Sequence, residues 1–362
     1  MNQSGNDAQP TVKDVALHAG VSRATASRAL SDYGVVNSQT RDRVVRSAAE
    51  LGYVPNVIAR SMRAGSSQTV GLIITEVGLS VFDLAMRVVI EAAHARGYQV
   101  LVANTNENLT AEKDAVRVML EKQVDGVILV PSAVADVRFL SASSLKGKPI
   151  VLLDRSLDEL ALPSVTADNF RGASDAVRHL AENGHTRIGF VVSTSNILGV
   201  TSERPDGLVS TLHDRVEGYL AGLADANLDS SEDWLQFSGD SGEAAVLATR
   251  RMLQSSNPPS AIIGSNANVA LAILTVAKEL GLTVGREISV IGFDDSPWAP
   301  VMTPALTVID LPIEEMAKIS VDLLISQVTR APAAQASVIL PMRLIERNSV
   351  ANPTRASPDE AS

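Results

Sequence analysis

The spacing of apolar and polar residues divides the chain into two regions with different predicted architecture. In residues 11–54 apolar positions recur at helical intervals, and we call this region the head. In residues 66–349, the body, apolar runs such as "TVGLIIT" and "ISVIGFD" alternate with amphipathic segments near 80–96, 111–122, 169–183, 214–226, 242–254 and 268–280. Near-continuous apolar strands between helices are typical of parallel sheets covered on both faces. Because these strands are too many for one sheet, we expect an α/β body of two Rossmann-like lobes.

The head begins with two predicted helices and a tight turn. Thr11 is a good N-cap with Asp14 three residues later, and Val12, Val15, Ala16 and Ala19 share one helix face. Gly20 supplies a left-handed stop, and Ser22 can cap a second helix over 23–30. Small residues at Ala16 and Ala26 fit a close crossing, so the pattern indicates a helix-turn-helix.

A third helix is predicted to complete the head. Asn37 is its capping residue and Gly52 ends it. Its inward residues are predicted to be Val44, Val45, Ala48 and Leu51. The head is therefore expected to be a small all-α unit.

The second helix, within "VSRATASRAL", carries the residues that suggest a partner. In helix-turn-helix proteins this helix lies in the DNA major groove, and arginine can bind guanine O6 and N7 with two hydrogen bonds. Arg23 and Arg28 fit that role, and the small Ala24, Thr25 and Ser27 let the backbone approach the groove. The alternative is a three-helix bundle that contacts proteins, with solvated arginines.

The charge distribution favours the DNA interpretation without deciding it. Residues 1–65 hold eight Lys/Arg and five Asp/Glu, a net charge of +3. Because the whole chain has a net charge of −10, residues 66–362 carry −13. A basic head on an acidic body suggests that only the head meets a polyanion.

The segment after the third helix predicts a short connecting helix. Pro55 cannot continue the preceding helix, and Asn56 can cap a new short one within the segment 55–65. So short a helix is marginal on its own. The alternative is a plain linker.

The stretches "TVKDVALHAGVSRATASRAL" and "VNSQTRDRVVRSAAELGYVPNVIARSMRAG" resemble the DNA-binding head and hinge of the lactose-repressor (LacI/GalR) family of bacterial transcription regulators. The resemblance implies that Arg23 and Ala24 choose bases, that 55–65 is a hinge helix ordered on DNA, and that Met62 wedges into the minor groove. The predicted DNA-contacting residues are Thr11, Ser22, Arg23, Ala24, Thr25, Ser27, Arg28, Asn37, Thr40, Asn56, Ala59 and Met62.

The resemblance also implies a periplasmic-binding-protein-like body that dimerises and holds a small effector between its lobes, with the chain crossing between lobes near 167, 310 and 335. The predicted effector-binding residues are Asp154, Arg155, Arg215, Asn266 and Asp294. Most follow a strand, where ligands bind in parallel sheets, and Arg215 is expected to open a helix. Their side chains can engage vicinal hydroxyls, so sugars or nucleosides fit, although an Asp after a strand is often only a turn former or helix cap.

Three departures from the family pattern affect the pocket. The first strand is followed by "TEVGLSVF", which leaves Phe82 as the nearby aromatic residue. Ala267 follows Asn266 where the family has Asp. The loop 193–214 is longer than in the family and could form a lid.

The remaining sequence features limit the function. There is no cysteine, no histidine spacing for a metal, and no nucleophile elbow or phosphate loop, so we expect no catalytic residue, metal or cofactor. No signal sequence or membrane-spanning run is visible, which predicts a cytoplasmic protein. Residues 1–10 and 350–362 are expected to be disordered.

We therefore predict a homodimeric, sequence-specific regulator of transcription that binds a pseudo-palindromic double-stranded DNA operator, a repressor rather than an activator, controlled by a sugar-like effector. A sugar-binding transport protein would share the body, but the head and the missing signal sequence oppose it. An enzyme on a Rossmann-like scaffold would need catalytic groups that the sequence does not offer.

Overall fold

The computed structural model describes residues 10–30, 36–54, 66–132, 136–141, 144–157, 159–195, 207–331 and 337–353. They form two compact units, one ending at Gln68 and one beginning at Thr69. The predicted hinge 55–65, and residues 196–206 of the long loop 193–214, lie outside the described residues.

The first unit contains three helices, α1 (Val12–His18), α2 (Arg23–Leu30) and α3 (Ser38–Glu50). Their shared core consists of small and β-branched side chains, namely Val15, Ala16, Ala19, Ala26, Ala29, Val44 and Ala48. The turn glycine Gly20 has a φ of +63°, the left-handed conformation that ends α1. The prediction for Val45 is wrong, because this side chain is exposed on the outer face of α3.

The second unit is built on two six-stranded sheets. Lobe 1 contains the strands β1 (Thr69–Ile74), β2 (Gln99–Asn104), β3 (Val127–Leu129), β4 (Ile150–Asp154), β5 (Ser164–Ala167) and β11 (Ser337–Leu340). Their order is β11-β5-β4-β3-β1-β2, and every pair is parallel. The helices α4 (Ser80–His94), α5 (Leu109–Glu121) and α10 (Ile313–Val328) pack on this sheet, with α4 and α10 in one core and α5 in the other.

Lobe 2 repeats this arrangement with one antiparallel strand. Its strands are β6 (Ile188–Ser193), β7 (Leu235–Ser238), β8 (Ala261–Gly264), β9 (Ser289–Phe293), β10 (Thr307–Asp310) and β12 (Arg343–Ile345). Their order is β12-β10-β9-β8-β6-β7, and only β12 runs antiparallel to its neighbour. The helices α6 (Asn169–Glu182) and α7 (Ser210–Asp225) pack in one core, and α8 (Gly242–Leu253) and α9 (Ala267–Glu279) in the other.

The chain crosses between the lobes three times. It enters lobe 2 after β5, returns to lobe 1 after β10, and enters lobe 2 again between Leu340 and Arg343. The sequence-based position of the third crossing, near 335, is wrong, because β11 first pairs with β5 in lobe 1.

Other differences from the sequence analysis have local causes. Helix α7 begins at Ser210, so Arg215 lies in its second turn rather than opening it. Strand β2 is an edge strand with Leu101 and Val102 partly exposed, not covered on both faces. The expected disordered tail does not begin at 350, because Ala351 is bonded to lobe 2. The N–H of Ala351 donates to Ser289 Oγ at 3.0 Å, and Ser289 Oγ donates to the carbonyl of Ala351 at 3.2 Å.

Helices α6 and α7 touch at backbone level through two glycines of α7. A Cβ on Gly218 would lie 2.0 Å from the carbonyl oxygen of Phe170, and one on Gly222 would lie 2.9 Å from Val177 Cβ. The close approach fixes α7, which carries Arg215, against α6, the helix that follows β5 at the first crossing.

We predict that Gly218→Ala lowers the free energy of unfolding by about 3 kcal/mol, because backbone cannot yield to the new methyl group. Urea unfolding followed by tryptophan fluorescence measures the change, because both tryptophans, Trp234 and Trp298, belong to lobe 2. Gly242→Ala is the matched control, since a Cβ there meets no atom within 4 Å. Equal midpoints for the two variants would contradict the packing described here.

Candidate functional site

The exposed face of α2 presents the arginines that the sequence singles out. Arg23, Ala24 and Arg28 are exposed, Thr25 and Ser27 are partly exposed, and the opposite face packs in the head core. Arg28 Nε donates to the carbonyl of Ala24 at 3.2 Å, which holds the guanidinium along the helix. The face combines two cations with short side chains, as contact with base edges requires.

The capping residues of the head are where the sequence places them. Asp14 accepts from the N–H of Thr11 at 2.8 Å and from its hydroxyl at 2.7 Å. Ser22 Oγ accepts from the N–H of Thr25 at 3.1 Å, which starts α2.

The start of α3 is capped in the same way. Asn37 Oδ1 accepts from the N–H of Thr40 at 3.3 Å. The other predicted DNA-contacting residues, Asn56, Ala59 and Met62, lie outside the described residues.

A cavity between the lobes, which we call the cleft, brings together all five predicted effector-binding residues. It encloses about 790 Å³ including its open mouth, and Asp154, Arg155, Arg215, Asn266 and Asp294 line it. Lobe 1 supplies the first two and lobe 2 the other three. The carboxyl ends of parallel strands therefore meet here, as the strand pattern predicts.

Asp154 and Asp294 occupy equivalent positions in the two lobes. Asp154 ends β4 and Asp294 follows β9, with φ of 69° and 71°. Asp adopts this left-handed conformation more readily than most side chains, which explains the residue type at both strand ends. Each lies buried, and each keeps one oxygen, Oδ1, without a hydrogen-bond partner among the described residues.

Arg215 is held rigidly between these carboxylates. Its Nε donates to Asn169 Oδ1 at 2.8 Å, and its Nη1 donates to the carbonyl of Ser265. The guanidinium carbon lies 4.1 Å from the centroid of the Phe293 ring, a cation–π contact. Burial lowers the pKa of Arg215, while Asp294 and Asp154 oppose that shift.

Arg155 is occupied by an ion pair. Its Nη1 and Nη2 donate to the two carboxylate oxygens of Glu107 at 2.9 and 2.7 Å, and Nη1 also donates to the carbonyl of Pro131 at 2.7 Å. A bidentate pair of this kind fixes the guanidinium plane. Arg155 thus lines the cleft with its charge largely matched by Glu107.

Asn266 has a structural task as well as a place in the cleft. Its Oδ1 accepts from the N–H of Val269 at 2.9 Å and caps α9. The side chain therefore offers its amide NH₂, rather than its oxygen, as the more available group toward a ligand.

Sequence reasoning missed several cleft residues. Glu76, Glu107 and Asp240 line the cleft, and each follows a strand end by two or three positions. The strand-end rule that selects Asp154 applies equally to them. Asn169 was missed because no motif in the neighbouring sequence indicates a role for it. Its role comes from the hydrogen bond that Arg215 on α7 donates to it on α6.

The described residues set further limits. They hold no group of three or more histidine, aspartate or glutamate side chains placed to bind a metal ion. In the same residues, no helix is both long and apolar enough to cross a membrane.

A helix-turn-helix head and a two-lobed body of this kind define a DNA-binding transcriptional regulator, and comparison with known proteins agrees. A model described as bacterial regulatory proteins, lacI family, matches residues 11–56, and one described as a periplasmic binding protein-like domain matches residues 177–350. The transcriptional repressor CytR of Escherichia coli (strain K12) is 31% identical over 359 residues, covering 99% of this chain and 100% of that protein. The repressor PurR of Aliivibrio salmonicida (strain LFI1238) is 30% identical over 319 residues, covering 88% and 92%.

Solved structures of other regulators also superpose on this chain. The lac repressor dimer bound to operator and the anti-inducer ONPF superposes with a TM-score of 0.81 at 25% identity, covering 95% of this chain and 100% of that chain. The complex of the regulator CelR with cellobiose has a TM-score of 0.69 at 26% identity, covering 94% and 99%. The chain belongs to the lacI family of bacterial regulatory proteins.

The ionisation of Asp294 gives a test of the cleft electrostatics. Burial raises the pKa of this carboxyl to about 6, Arg215 opposes the shift, and Asp154 and Asp310 add to it. The folded state therefore binds the proton more tightly than the unfolded state, and the ionised carboxylate costs stability as pH rises from about 4 to above 6.

We predict that Asp294→Asn raises the free energy of unfolding by about 2 kcal/mol at pH 7.5 and by much less at pH 4, where the wild-type carboxyl is largely protonated when folded. Urea unfolding at both pH values measures the difference. Asp233→Asn, at an exposed carboxylate outside the cleft, should show no such pH dependence. A gain of equal size at both pH values would show that the burial of Asp294 is not what governs its ionisation.

Proposed function

We propose that this regulator represses transcription by binding a pseudo-palindromic operator as a homodimer, and that a sugar-like effector in the cleft controls the binding. The observation that carries the proposal is the convergence of Asp154, Arg155, Arg215, Asn266 and Asp294 in one cavity. Two of these residues hold buried carboxylate oxygens that have no partner among the described residues. Buried acceptors of this kind call for donors from a ligand or water.

DNA recognition is assigned to α2. Its exposed arginines can each read guanine, and its short side chains allow the helix to approach the groove. Thr11, Ser22, Asn37 and Thr40 lie at the first turns of the three helices, where backbone N–H groups suit DNA phosphates. Asn56, Ala59 and Met62 in the hinge stay predictions from the sequence.

Dimer formation is supported by exposed apolar side chains on both lobes. Ile90 on α4 and Leu101 and Val102 on the edge strand β2 are exposed in lobe 1, and Leu247 and Leu271 on α8 and α9 in lobe 2. A second copy of the chain would cover such surface. The lac repressor was solved as a dimer on operator DNA, so we assign the same assembly here.

Repression and a sugar-like ligand are assigned from chemistry and from relatives. CytR and PurR are named repressors, and CelR was solved with cellobiose. Two fixed guanidinium groups beside carboxylates that each keep one oxygen without a hydrogen-bond partner among the described residues suit the hydroxyl pairs of a sugar. Effector binding would change the angle between the lobes at the three crossings, and such coupling is worth about 1–3 kcal/mol. The regulator would act in the cytoplasm without a catalytic step or a cofactor.

We predict that Arg28→Ala abolishes preference for the operator while the body remains folded. Fluorescence anisotropy with the DNA upstream of the gene and with a random duplex measures the preference. Arg171→Ala, at an exposed arginine on α6 of the body, is the control and should bind normally. Arg23→Ala should relax base choice at one position in each half-site, which selection from random duplexes can read. An Arg28→Ala protein with full operator preference would refute the role of α2.

We predict that Arg215→Ala removes the response to the effector but not operator binding. A thermal-shift screen of sugars and related metabolites identifies the effector, because a ligand of the folded state raises its stability. Every hit should disappear in Arg215→Ala, since this guanidinium lines the cleft and bonds an amide and a carbonyl oxygen rather than a carboxylate. Hits that survive in a folded Arg215→Ala protein would place the effector elsewhere.

A further inference from the structure

The cleft carries more negative than positive groups. Its described lining holds two guanidinium groups and five carboxylates, which are Glu76, Glu107, Asp154, Asp240 and Asp294. Glu107 is taken up by its bidentate pair with Arg155. Four carboxylates therefore remain around one guanidinium, that of Arg215. An anionic ligand such as a sugar phosphate would enter against this charge.

Two of the surplus carboxylates come from opposite lobes. Glu76 follows β1 in lobe 1, and Asp240 follows β7 in lobe 2. Burial raises the pKa of Glu76, and the negative charges of Glu107 and Asp240 raise it further against the opposing effect of Arg155. Each lobe thus places a carboxylate in the lining of the same cleft, and a cation between the two would offset their repulsion.

Two buried carboxylates in the lining of the cleft lack hydrogen-bond donors among the described residues. The side chains of Asp154 and Asp294 belong to residues only 6% and 7% exposed, and each keeps Oδ1 without a partner among the described residues. This is independent of the charge count, because it concerns missing hydrogen-bond donors. A ligand with several hydroxyl groups can supply them.

The apolar part of the lining suits a saturated ring. Leu79, Val81, Leu212 and Leu311 line the cleft, and Phe82 is the one aromatic side chain in its described lining. Phe82 is itself almost fully buried, so it offers little face for stacking. A flat heteroaromatic ligand would find no pair of rings to lie between.

We propose that the effector is an amine-bearing polyhydroxylated ring, an amino sugar or aminocyclitol, whose ammonium group lies between Glu76 and Asp240. This inference rests on the proposed function, since it names the ligand class of the same cleft. The hydroxyl groups face Asp154 and Asp294, and the ammonium group joins the two lobes. Because the ammonium group attracts a carboxylate from each lobe, amine binding favours the arrangement in which the two lobes lie closer together.

The test uses the full-length protein and pairs of compounds that differ only in an amine or a hydroxyl group. The pairs are D-glucosamine with D-glucose, D-galactosamine with D-galactose, D-mannosamine with D-mannose, and scyllo-inosamine with scyllo-inositol. Isothermal titration calorimetry at neutral pH gives the dissociation constants. In at least one pair the amine should bind about tenfold more tightly than its neutral twin. Added salt should reduce this ratio, and N-acetylation, which removes the charge, should abolish it.

Variants locate the ammonium group. Glu76→Gln combined with Asp240→Asn should bring the ratio of amine to neutral affinity close to one, while Asp233→Asn, outside the cleft, should leave the ratio unchanged. Thermal unfolding checks that each variant is folded. Equal affinities in every pair, no binding of any amine at millimolar concentration, or a ratio that persists in the double variant would overturn the inference.

The outcomes separate this inference from the proposed function. If neutral sugars bind as well as amines and Arg215→Ala abolishes both, the cleft is the effector site and the amine inference alone fails. If amines bind but neither Arg215→Ala nor operator DNA affects them, the proposed function fails instead.

Discussion

The body depends on the placement of one buried guanidinium, that of Arg215, between two carboxylates that belong to different sheets. Asp154 and Asp294 stand at matching strand ends in the left-handed conformation, and burial raises the pKa of both. Asn169, Ser265 and the Phe293 ring hold Arg215 in that place. Because these groups are buried, a ligand that enters the cleft interacts with their charges at a lower effective dielectric than in water.

Much of the fold could be predicted because it follows from local rules. The capping residues and the glycine turn of the head predict its three helices, and the apolar runs predict most of the central strands. Val45 was misjudged because helical spacing alone cannot tell a core face from its margin. Helix α10 and strand β11 were missed because they complete lobe 1 from a distant part of the chain, which local periodicity does not reveal.

The site was predictable to a similar extent. Asp154, Asp294 and Asn266 follow strands, and their convergence is a property of parallel sheets. The bidentate pairing of Glu107 with Arg155 could not be predicted, because the partners are 48 residues apart in the chain and meet only when β2 and β4 share a sheet. That pair changes the chemistry of the cleft, since it leaves Arg215 as the cation with the least compensation.

The threefold crossing between lobes has a consequence for the order in which the molecule can be assembled. Lobe 1 is made of the described residues between 69 and 167 together with α10 and β11. Lobe 2 is made of the described residues between 168 and 310 together with β12 and the segment around Ser349 and Ala351. Neither lobe is formed by one continuous stretch of the chain. A nascent chain on the ribosome can therefore complete its head long before it completes either lobe of the body. The DNA-reading part is thus available first, and control over it arrives only with the final strands.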